Sequence, residues 1–251
     1  MKTMPRMLLL NAVVLASLSG VPIANAADGL DVWCEAQMSL DASGKVTSLE
    51  FSGKNGNDDP IAKKMAPVIR SWSFVPGSVN GVPAQTETTL TLHLRTVKSL
   101  DGNYGLRVLD AHTGAASLGS MAPPKYPHEA LINGLEARVI AAVSVGTDGV
   151  PTKVEIAGIS ITSGGDHASR RQFETALSKS AMIWRIRPEV VGGHPVAAQF
   201  RVPVDFCLGT ASPCMRVKEE VIAEDGSAPM NRTVPLDSQV KLTTQVIGTT
   251  L

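Results

Sequence analysis

This 251-residue sequence has few aromatic residues, few cysteines and no net charge, and each shortage narrows the possible functions. Phe, Trp and Tyr together make up 4% of the residues, so the hydrophobic cores must consist mainly of aliphatic side chains. The formal net charge is +0, which gives no electrostatic basis for binding nucleic acid. After residue 26 the sequence contains no apolar stretch of the roughly 20 residues that a membrane-spanning helix needs.

Sequence signatures of common active sites are also missing. The five histidines are scattered, and there is no H-E-x-x-H, C-x-x-C, P-loop or nucleophile elbow. Asp166 and His167 follow Ser163 closely, but adjacent residues at a helix start cannot adopt triad geometry, so Asp166 is interpreted as a helix cap. We therefore expect no catalytic residue, metal or cofactor, and an enzyme site grafted on the fold is a minor alternative.

The N-terminus has the three-part pattern of a secretory signal peptide. Lys2 and Arg6 precede the apolar run LLLNAVVLASL, and Ala24-Asn25-Ala26 fits a cleavage site. We predict that residues 1–26 are removed on export, with an uncleaved membrane anchor as the alternative. The apolar run is far shorter than a spanning helix, which favours cleavage.

The three cysteines fall in two different settings. Cys34 lies on the apolar side of a predicted strand and should be a buried, unreactive thiol. Cys207 and Cys214 flank a turn that contains Gly209 and Pro213. Because export leads to an oxidising compartment, we predict a disulfide between Cys207 and Cys214.

The sequence repeats itself weakly. Residues of restrictive type recur at a spacing of 112 positions, and the pairs are Trp72 and Trp184, Pro76 and Pro188, Gly81 and Gly193, and Pro83 and Pro195. Gly44 and Gly149, each at a predicted hairpin turn, are 105 positions apart. The difference between the spacings predicts a seven-residue insertion between hairpin and helix in the second copy.

Hydrophobic periodicity predicts the same α+β unit in both copies. Alternating residues from Val32 to Leu40 and from Val139 to Val145 each begin a hairpin, and stripes ending at Trp72 and Trp184 each indicate an amphipathic helix. A further strand follows each helix. We predict two tandem β-β-α-β units, each a three-stranded antiparallel sheet with one helix on one face.

The predicted domains follow from these patterns. Residues 27–96 form a degenerate first unit, and residues 123–214 form the second. Residues 97–122 are a glycine-containing linker with one short strand at 104–109. Residues 215–251 form a polar tail whose alternation from Val240 to Val246 suggests one extra strand.

The second copy resembles the TonB C-terminal domain family. The residues that carry the resemblance are Pro124-x-Tyr126-Pro127-x-x-Ala130, Gly134-x-Glu136, Asp148-Gly149, Trp184, Pro188 and Gly193-x-Pro195-Val196. The resemblance covers residues 123–206, with residues 32–95 as a degenerate copy. Ala137 departs from it, because the family usually has Gly there.

This resemblance implies a periplasmic, non-enzymatic module that holds a short peptide of an outer-membrane transporter by adding a strand to its sheet. After loss of residues 1–26, the chain would have neither the anchor helix nor the Pro-rich spacer of the family. Pro203 predicts an edge strand, since a central strand would lose a hydrogen bond there. The expected partner-binding residues are Tyr126, Pro127, Val196, Ala197, Ala198, Gln199, Phe200, Arg201 and Val202.

Two alternatives remain open at the level of sequence. The first is a periplasmic scaffold or structural protein whose two units pair edge to edge, which would leave no strand edge for a partner. Tyr126 would then simply pack on the sheet, and the first unit or the tail would cover the edge. Exposure of the last strand of the second unit distinguishes a binding module from a scaffold.

Overall fold

The computed structural model describes residues 29–98, 104–117, 121–162, 164–209 and 233–251. The predicted signal peptide, Cys214 and the first part of the predicted tail lie outside the described residues. The elements below are numbered in chain order.

The first half begins with the predicted hairpin and helix. The elements are β1 (Asp31–Leu40), β2 (Val46–Phe51), a 3-10 turn (Gly56–Asp58), α1 (Pro60–Arg70), β3 (Phe74–Val75), β4 (Ser78–Val79), β5 (Val82–Pro83) and β6 (Thr86–Lys98). Asp41 Oδ1 accepts hydrogen bonds from Ser43 N and Lys45 N, which fixes the turn between β1 and β2. Asp59 caps α1 by accepting a 2.8 Å hydrogen bond from Ile61 N.

The predicted linker contains a longer strand than the sequence indicates. Strand β7 (Tyr104–Gly114) pairs with β6 along Thr89–Lys98, and the two-residue β8 (Ala116–Ser117) follows it. The first sheet therefore has the order β2-β1-β6, with β7 beside β6. Its partner β6 directly precedes it, with Lys98 opposite Tyr104, but glycines and mixed polarity leave little alternation by which this hairpin could be predicted.

The second half contains α2 (His128–Ile132), β9 (Ala137–Val145), β10 (Pro151–Ile161), α3 (His167–Ala181), β11 (Ile186–Arg187), β12 (Val190–Val191), β13 (His194–Pro195) and β14 (Ala198–Phe206). Two short strands, β15 (Val234–Pro235) and β16 (Lys241–Leu242), come from the tail. The second sheet has the order β10-β9-β14-β15. Asp166 accepts a 2.8 Å hydrogen bond from Ser169 N and caps α3, as predicted.

The expectation of three strands per sheet is wrong. The first sheet has six strands, because β7, β12 and β13 join the predicted three, and the second has four, because β15 joins. The additional strands come from the linker, the turn before β14 and the tail. Strands β12 and β15 pair with residues far away in the sequence, whereas β7 is irregular in polarity and β13 has only two residues, so local alternation does not reveal them.

The two halves share their pairing register as well as their element order. Leu40 pairs with Thr86 in the first half, and Val145 pairs with Ala198 in the second, which are the positions that spacings of 105 and 112 relate. Gly44 and Gly149 both have positive φ, and an added Cβ would meet the carbonyl oxygen of Phe74 and Ile186 respectively at 1.9 and 2.1 Å. These correspondences support the tandem repeat, which stays a prediction.

Each half has its own hydrophobic core. The first core contains Met38, Met65, Trp72 and Leu92, and the second contains Phe173, Leu177, Trp184 and Phe200. Because two separate clusters of buried residues exist, each sheet and its helix form a distinct packing unit. The low aromatic content fits this result, since aliphatic side chains supply most of both clusters.

The two units are joined by strand pairing and by the tail. Strand β12 of the second unit pairs with Thr86 and Glu87 of β6, which extends the first sheet. The tail then runs from β15 on the second sheet to β16, which pairs with β3 of the first unit. Val240 and Val246 are buried in the first core, so the tail connects both units.

Glu189 is buried where the two units meet the tail. Its Oε1 accepts hydrogen bonds from Thr88 Oγ1 at 2.5 Å and from Ser238 Oγ at 3.1 Å, and its Oε2 accepts one from Gln239 N at 2.6 Å. Burial raises the pKa of Glu189 above its ordinary value of 4.5, because the interior disfavours the charged carboxylate. The nearby Asp237 acts in the same direction, and the three hydrogen bonds oppose it.

We expect Glu189 to make the protein more stable in mild acid than at neutral pH. Because its pKa is higher in the folded than in the unfolded chain, its contribution is fully present below 4.5 and is lost as the pH rises through the folded pKa. The urea midpoint should therefore decrease as the pH is raised from 4.5 to about 7, and Glu189→Gln should remove this slope. Glu87→Gln, at an exposed position, is the control, and an unchanged slope in Glu189→Gln would contradict the assignment.

Candidate functional site

The outer edge of β14 is only partly covered. Gln199 N donates to Asp237 Oδ1 at 2.9 Å, and Leu236 N donates to Gln199 O at 2.8 Å, so the main chain of Gln199 points away from β9. By the alternation of an antiparallel ladder, Arg201, Pro203 and Asp205 direct their main chains to the same side. Strand β15 pairs with Phe200 and Arg201, and no described residue pairs with β14 beyond them on that side.

Pro203 lies where its missing N–H does no harm. It is opposite Ile140 in the register with β9, and its nitrogen points to the outer side of β14. A proline there removes no hydrogen bond from the β9–β14 ladder. The edge position that Pro203 indicates in the sequence therefore agrees with the structure.

The structure divides the predicted partner-binding residues into three groups. Val196 and Ala197 precede β14, and Val196 N donates to Glu189 O in the turn that joins the units. The side chains of Ala198, Phe200 and Val202 are buried in the second core. Gln199 and Arg201 already pair with the tail through their main chains. Among the expected binding residues, Gln199, Phe200 and Arg201 thus pair with the tail. No described residue pairs with the outer side of β14 from Val202 to Phe206, which we call the uncovered edge.

Tyr126 is anchored in the second core. Its hydroxyl donates a 2.5 Å hydrogen bond to Leu135 O and lies 3.5 Å from Phe206 O. Its ring packs edge to face on Phe173 and Phe206, with centroids 5.9 and 5.7 Å away. Burial raises the pKa of Tyr126, and the nearby charge of Glu136 adds to the shift. Tyr126 thus ties the segment before α2 to the end of β14, and Pro127 precedes α2 as its N-cap residue.

Two polar contacts that the sequence did not reveal hold the end of β14. Arg138 forms a bidentate ion pair with Asp205, with Nε–Oδ1 and Nη2–Oδ2 distances of 2.7 and 2.9 Å. Glu136 Oε1 accepts a 3.0 Å hydrogen bond from Leu208 N. Only the register of β9 with β14 brings these residues together, so no local signal identifies them. They fix the uncovered edge in an extended conformation.

A groove runs beside Tyr126 along one face of α3. We name it the α3 groove, and its lining residues are Lys125, Tyr126, Pro127, His128, Glu129, Ala168, Arg171, Gln172, Thr175, Ala176 and Lys179. Its volume is about 760 Å³. The lining positions on α3 recur at helical spacing, so one stripe of the helix forms the wall.

A second cavity, of about 540 Å³, lies beside β1 in the first unit and is lined in part by Cys34. Burial raises the pKa of the Cys34 thiol to about 11, with smaller contributions from the negative charges of Asp59 and Glu35. The thiol is therefore protonated at neutral pH and is a poor nucleophile. Cys34 is a free cysteine that is half-buried, so the expectation of a fully buried thiol is wrong, while its raised pKa agrees with the expected low reactivity.

Cys207 is disulfide-bonded. Its predicted pairing with Cys214 stays a prediction, because Cys214 lies outside the described residues. Within the described ranges, no group of three or more His, Cys, Asp or Glu side chains is arranged to hold a metal ion. In the same ranges, every helix is too short or too polar to cross a membrane.

Comparison with known proteins points to the second unit. Residues 122–208 match the model of the family described as the Gram-negative bacterial TonB protein C-terminal. Protein TonB from Xanthomonas campestris pv. campestris strain B100 is 33% identical over 90 residues, which is 36% of this chain and 36% of that protein. Protein TonB from a second strain of the same pathovar gives the same values.

The matched region starts just before the Tyr126 segment and ends just after β14. It therefore contains most of the second core, the uncovered edge of β14 and the α3 groove. This chain spans about a third of the length of the relatives that it matches. Residues 122–208 are thus similar to the C-terminal domain of TonB.

Proposed function

We propose that the protein is a non-enzymatic periplasmic module that binds an extended peptide of an outer-membrane transporter by adding it as a strand to β14. The observation that carries this proposal is the edge of β14 from Val202 to Phe206, which no described residue pairs on its outer side. Similarity of residues 122–208 to the TonB C-terminal family supports it. The disulfide-bonded state of Cys207 is in keeping with an oxidising compartment such as the periplasm.

The uncovered edge offers main-chain groups in the pattern that strand addition requires. Pro203 O, Asp205 N and Asp205 O point outward, and a peptide strand would pair with them. The neighbouring tail contact is short, because β15 has two residues and Pro235 has no N–H to donate. A peptide that displaced β15 would gain the main-chain groups of Arg201 and Gln199 as well.

A scaffold function is the second candidate, and specific pairings favour it. Strand β12 already covers β6 at Thr86 and Glu87, β7 covers the rest of that strand, and β15 covers part of β14. In this case the internal strand additions would serve to join the two units. The two candidates differ in whether β14 accepts a strand from another chain.

Backbone-modified peptides test strand addition directly. The probe is a labelled peptide copied from the N-terminal segment of a transporter of the same cell, with N-methyl groups on alternate residues. We expect one N-methyl series to weaken binding to residues 27–251 at least about tenfold, and the series shifted by one residue to bind like the parent peptide. Equal effects of both series would contradict strand addition.

The tail provides the matched control for the same assay. Asp237→Ala removes the acceptor of Gln199 N and should strengthen peptide binding, because β15 then competes less for the edge. Tyr126→Phe should bind the peptide as the parent does, since Tyr126 acts through the core. No binding by either protein at millimolar peptide, with both folded, would leave the scaffold as the better candidate.

A further inference from the structure

The α3 groove has the length and shape of a site for an extended chain. Its wall on α3 runs from Ala168 to Lys179, which at 1.5 Å per residue is about 16 Å. An extended peptide rises about 3.3 Å per residue, so the groove fits about five residues. Small side chains at Ala168, Thr175 and Ala176 allow close approach to the helix.

The charges along the groove have mainly one sign. Lys125, Arg171 and Lys179 line it, and Glu129 is the single acidic residue among its lining side chains. The structure gives no ion pair for any of these four residues among the described contacts. In a chain with a formal net charge of +0, this is a local excess of positive charge. An acidic ligand is therefore complementary to the groove.

Gln172 adds a hydrogen-bonding requirement. Its Oε1 is buried in the wall and has no hydrogen-bond partner among the described residues. A buried acceptor without a donor is unfavourable, and a main-chain N–H of a bound peptide would supply the donor. The unpaired acceptor thus favours a peptide main chain, and the cationic side chains favour carboxylates on that peptide.

We propose that the α3 groove binds an extended acidic peptide segment of a partner protein, with carboxylates held by Arg171 and Lys179. These two residues are eight positions apart on α3, which is about 12 Å along the helix axis. Side chains four residues apart in an extended peptide are about 13 Å apart and point to the same side. The groove is therefore matched to two acidic residues separated by three others.

This site is distinct from strand addition at β14 and does not rest on it. Strand addition uses main-chain groups of β14, whereas the groove uses side chains of α3 and of the segment before α2. Tyr126 is the one residue close to both, since it lines the groove and contacts Phe206. Changes on α3 and changes on β14 therefore report on separate sites.

Fluorescence anisotropy with residues 27–251 tests the proposal. The probe is a labelled seven-residue peptide with glutamate at its second and sixth positions and valine or threonine between them. Its control has glutamine at both positions. At low salt we expect the glutamate peptide to bind at least about tenfold more tightly, and this preference should decrease as salt screens the charges. Equal binding of the two peptides would overturn the proposal.

Charge reversal identifies the residues. Arg171→Glu combined with Lys179→Glu should weaken binding of the glutamate peptide at least about tenfold, because two attractions become repulsions. Lys54→Glu combined with Lys64→Glu makes the same change of charge at exposed positions of the first unit and should alter affinity less than about twofold. Equal losses in both double variants would mean diffuse electrostatic attraction and would overturn the site.

A neutral blocking substitution completes the test. Thr175 is exposed and lines the groove, so Thr175→Trp should fill the groove without changing charge and should abolish binding of the peptide. Unfolding midpoints equal to that of the parent protein would establish that each variant is folded. Retained binding in Thr175→Trp would overturn the proposal. Heparin that bound more tightly than the glutamate peptide, and lost this binding in the groove variants, would also overturn the proposal. That result would identify an anionic glycan as the occupant.

Discussion

Replacing Trp184 with alanine is expected to lower the unfolding free energy of the second unit by about 3–5 kcal/mol. Trp184 is 1% exposed in the second core, and its Nε1 donates a 3.0 Å hydrogen bond to Ala122 O. The substitution leaves a large cavity and removes one of the two hydrogen bonds to Ala122 O, which keeps the one from Ser180 Oγ. Such a loss is a large fraction of the total stability of a small domain, so the second unit should unfold at physiological temperature.

Residue-resolved hydrogen exchange measures this effect separately in the two units. Amides of β9 and β14 should lose protection in Trp184→Ala, while amides of β1 and β6 keep most of theirs. Ile183→Ala is the matched control, because the neighbouring Ile183 is 63% exposed and should change stability by no more than about 0.5 kcal/mol. Simultaneous loss of protection in both units would show that they unfold as one body.

Ending the chain after Gln239 is expected to destabilise the first unit, although the deleted residues are far from it in sequence. The deletion removes Val240 and Val246, which are 2% and 4% exposed in the first core. It also removes the pairing of β16 with β3 and the hydrogen bonds between Leu251 and Leu106. Full burial of a valine side chain contributes about 1.5–3 kcal/mol, so the two give a loss of about 3–6 kcal/mol.

The truncated protein should show this loss in one unit. Urea unfolding followed by hydrogen exchange should show weaker protection in β1 and β6, with β9 and β14 close to the parent protein. Ile247→Ala, at a position 61% exposed, is the control and should have a negligible effect. An unchanged first unit after truncation would mean that the tail lies on the surface without contributing to the core.

The predicted binding site shows which part of such a site a sequence can reveal. In the sequence, Pro203 indicates an edge strand, because proline has no N–H to donate to a neighbouring strand. The extent of the uncovered edge could not be predicted, since it depends on where Leu236 and Asp237 meet Gln199. The ring of Tyr126 contacts Phe206 at the end of β14 and its hydroxyl donates to Leu135 O, and neither contact could be predicted from the sequence.

The local elements could be predicted from the amino-acid sequence alone. Alternation predicted β1, β9 and β14, Asp166 marked the start of α3, and Gly44 and Gly149 marked the hairpin turns. These signals are reliable because capping, turn geometry and the strand period depend on residues within a few positions of each other. The 112-residue spacing likewise needs no contact to be detected.

Only the tertiary structure decided which edges are covered and which side chains meet. Strand β7 owes its length to pairing with β6, the tail reaches both units through β15 and Val240, and Arg138 meets Asp205 through the register of β9 with β14. The α3 groove joins a helix face to a segment some 40 residues earlier in the chain. Apart from the hairpin of β6 and β7, each of these features is formed by residues far apart in sequence. Short polar or glycine-containing segments, including β7, have little periodicity from which such pairing could be predicted.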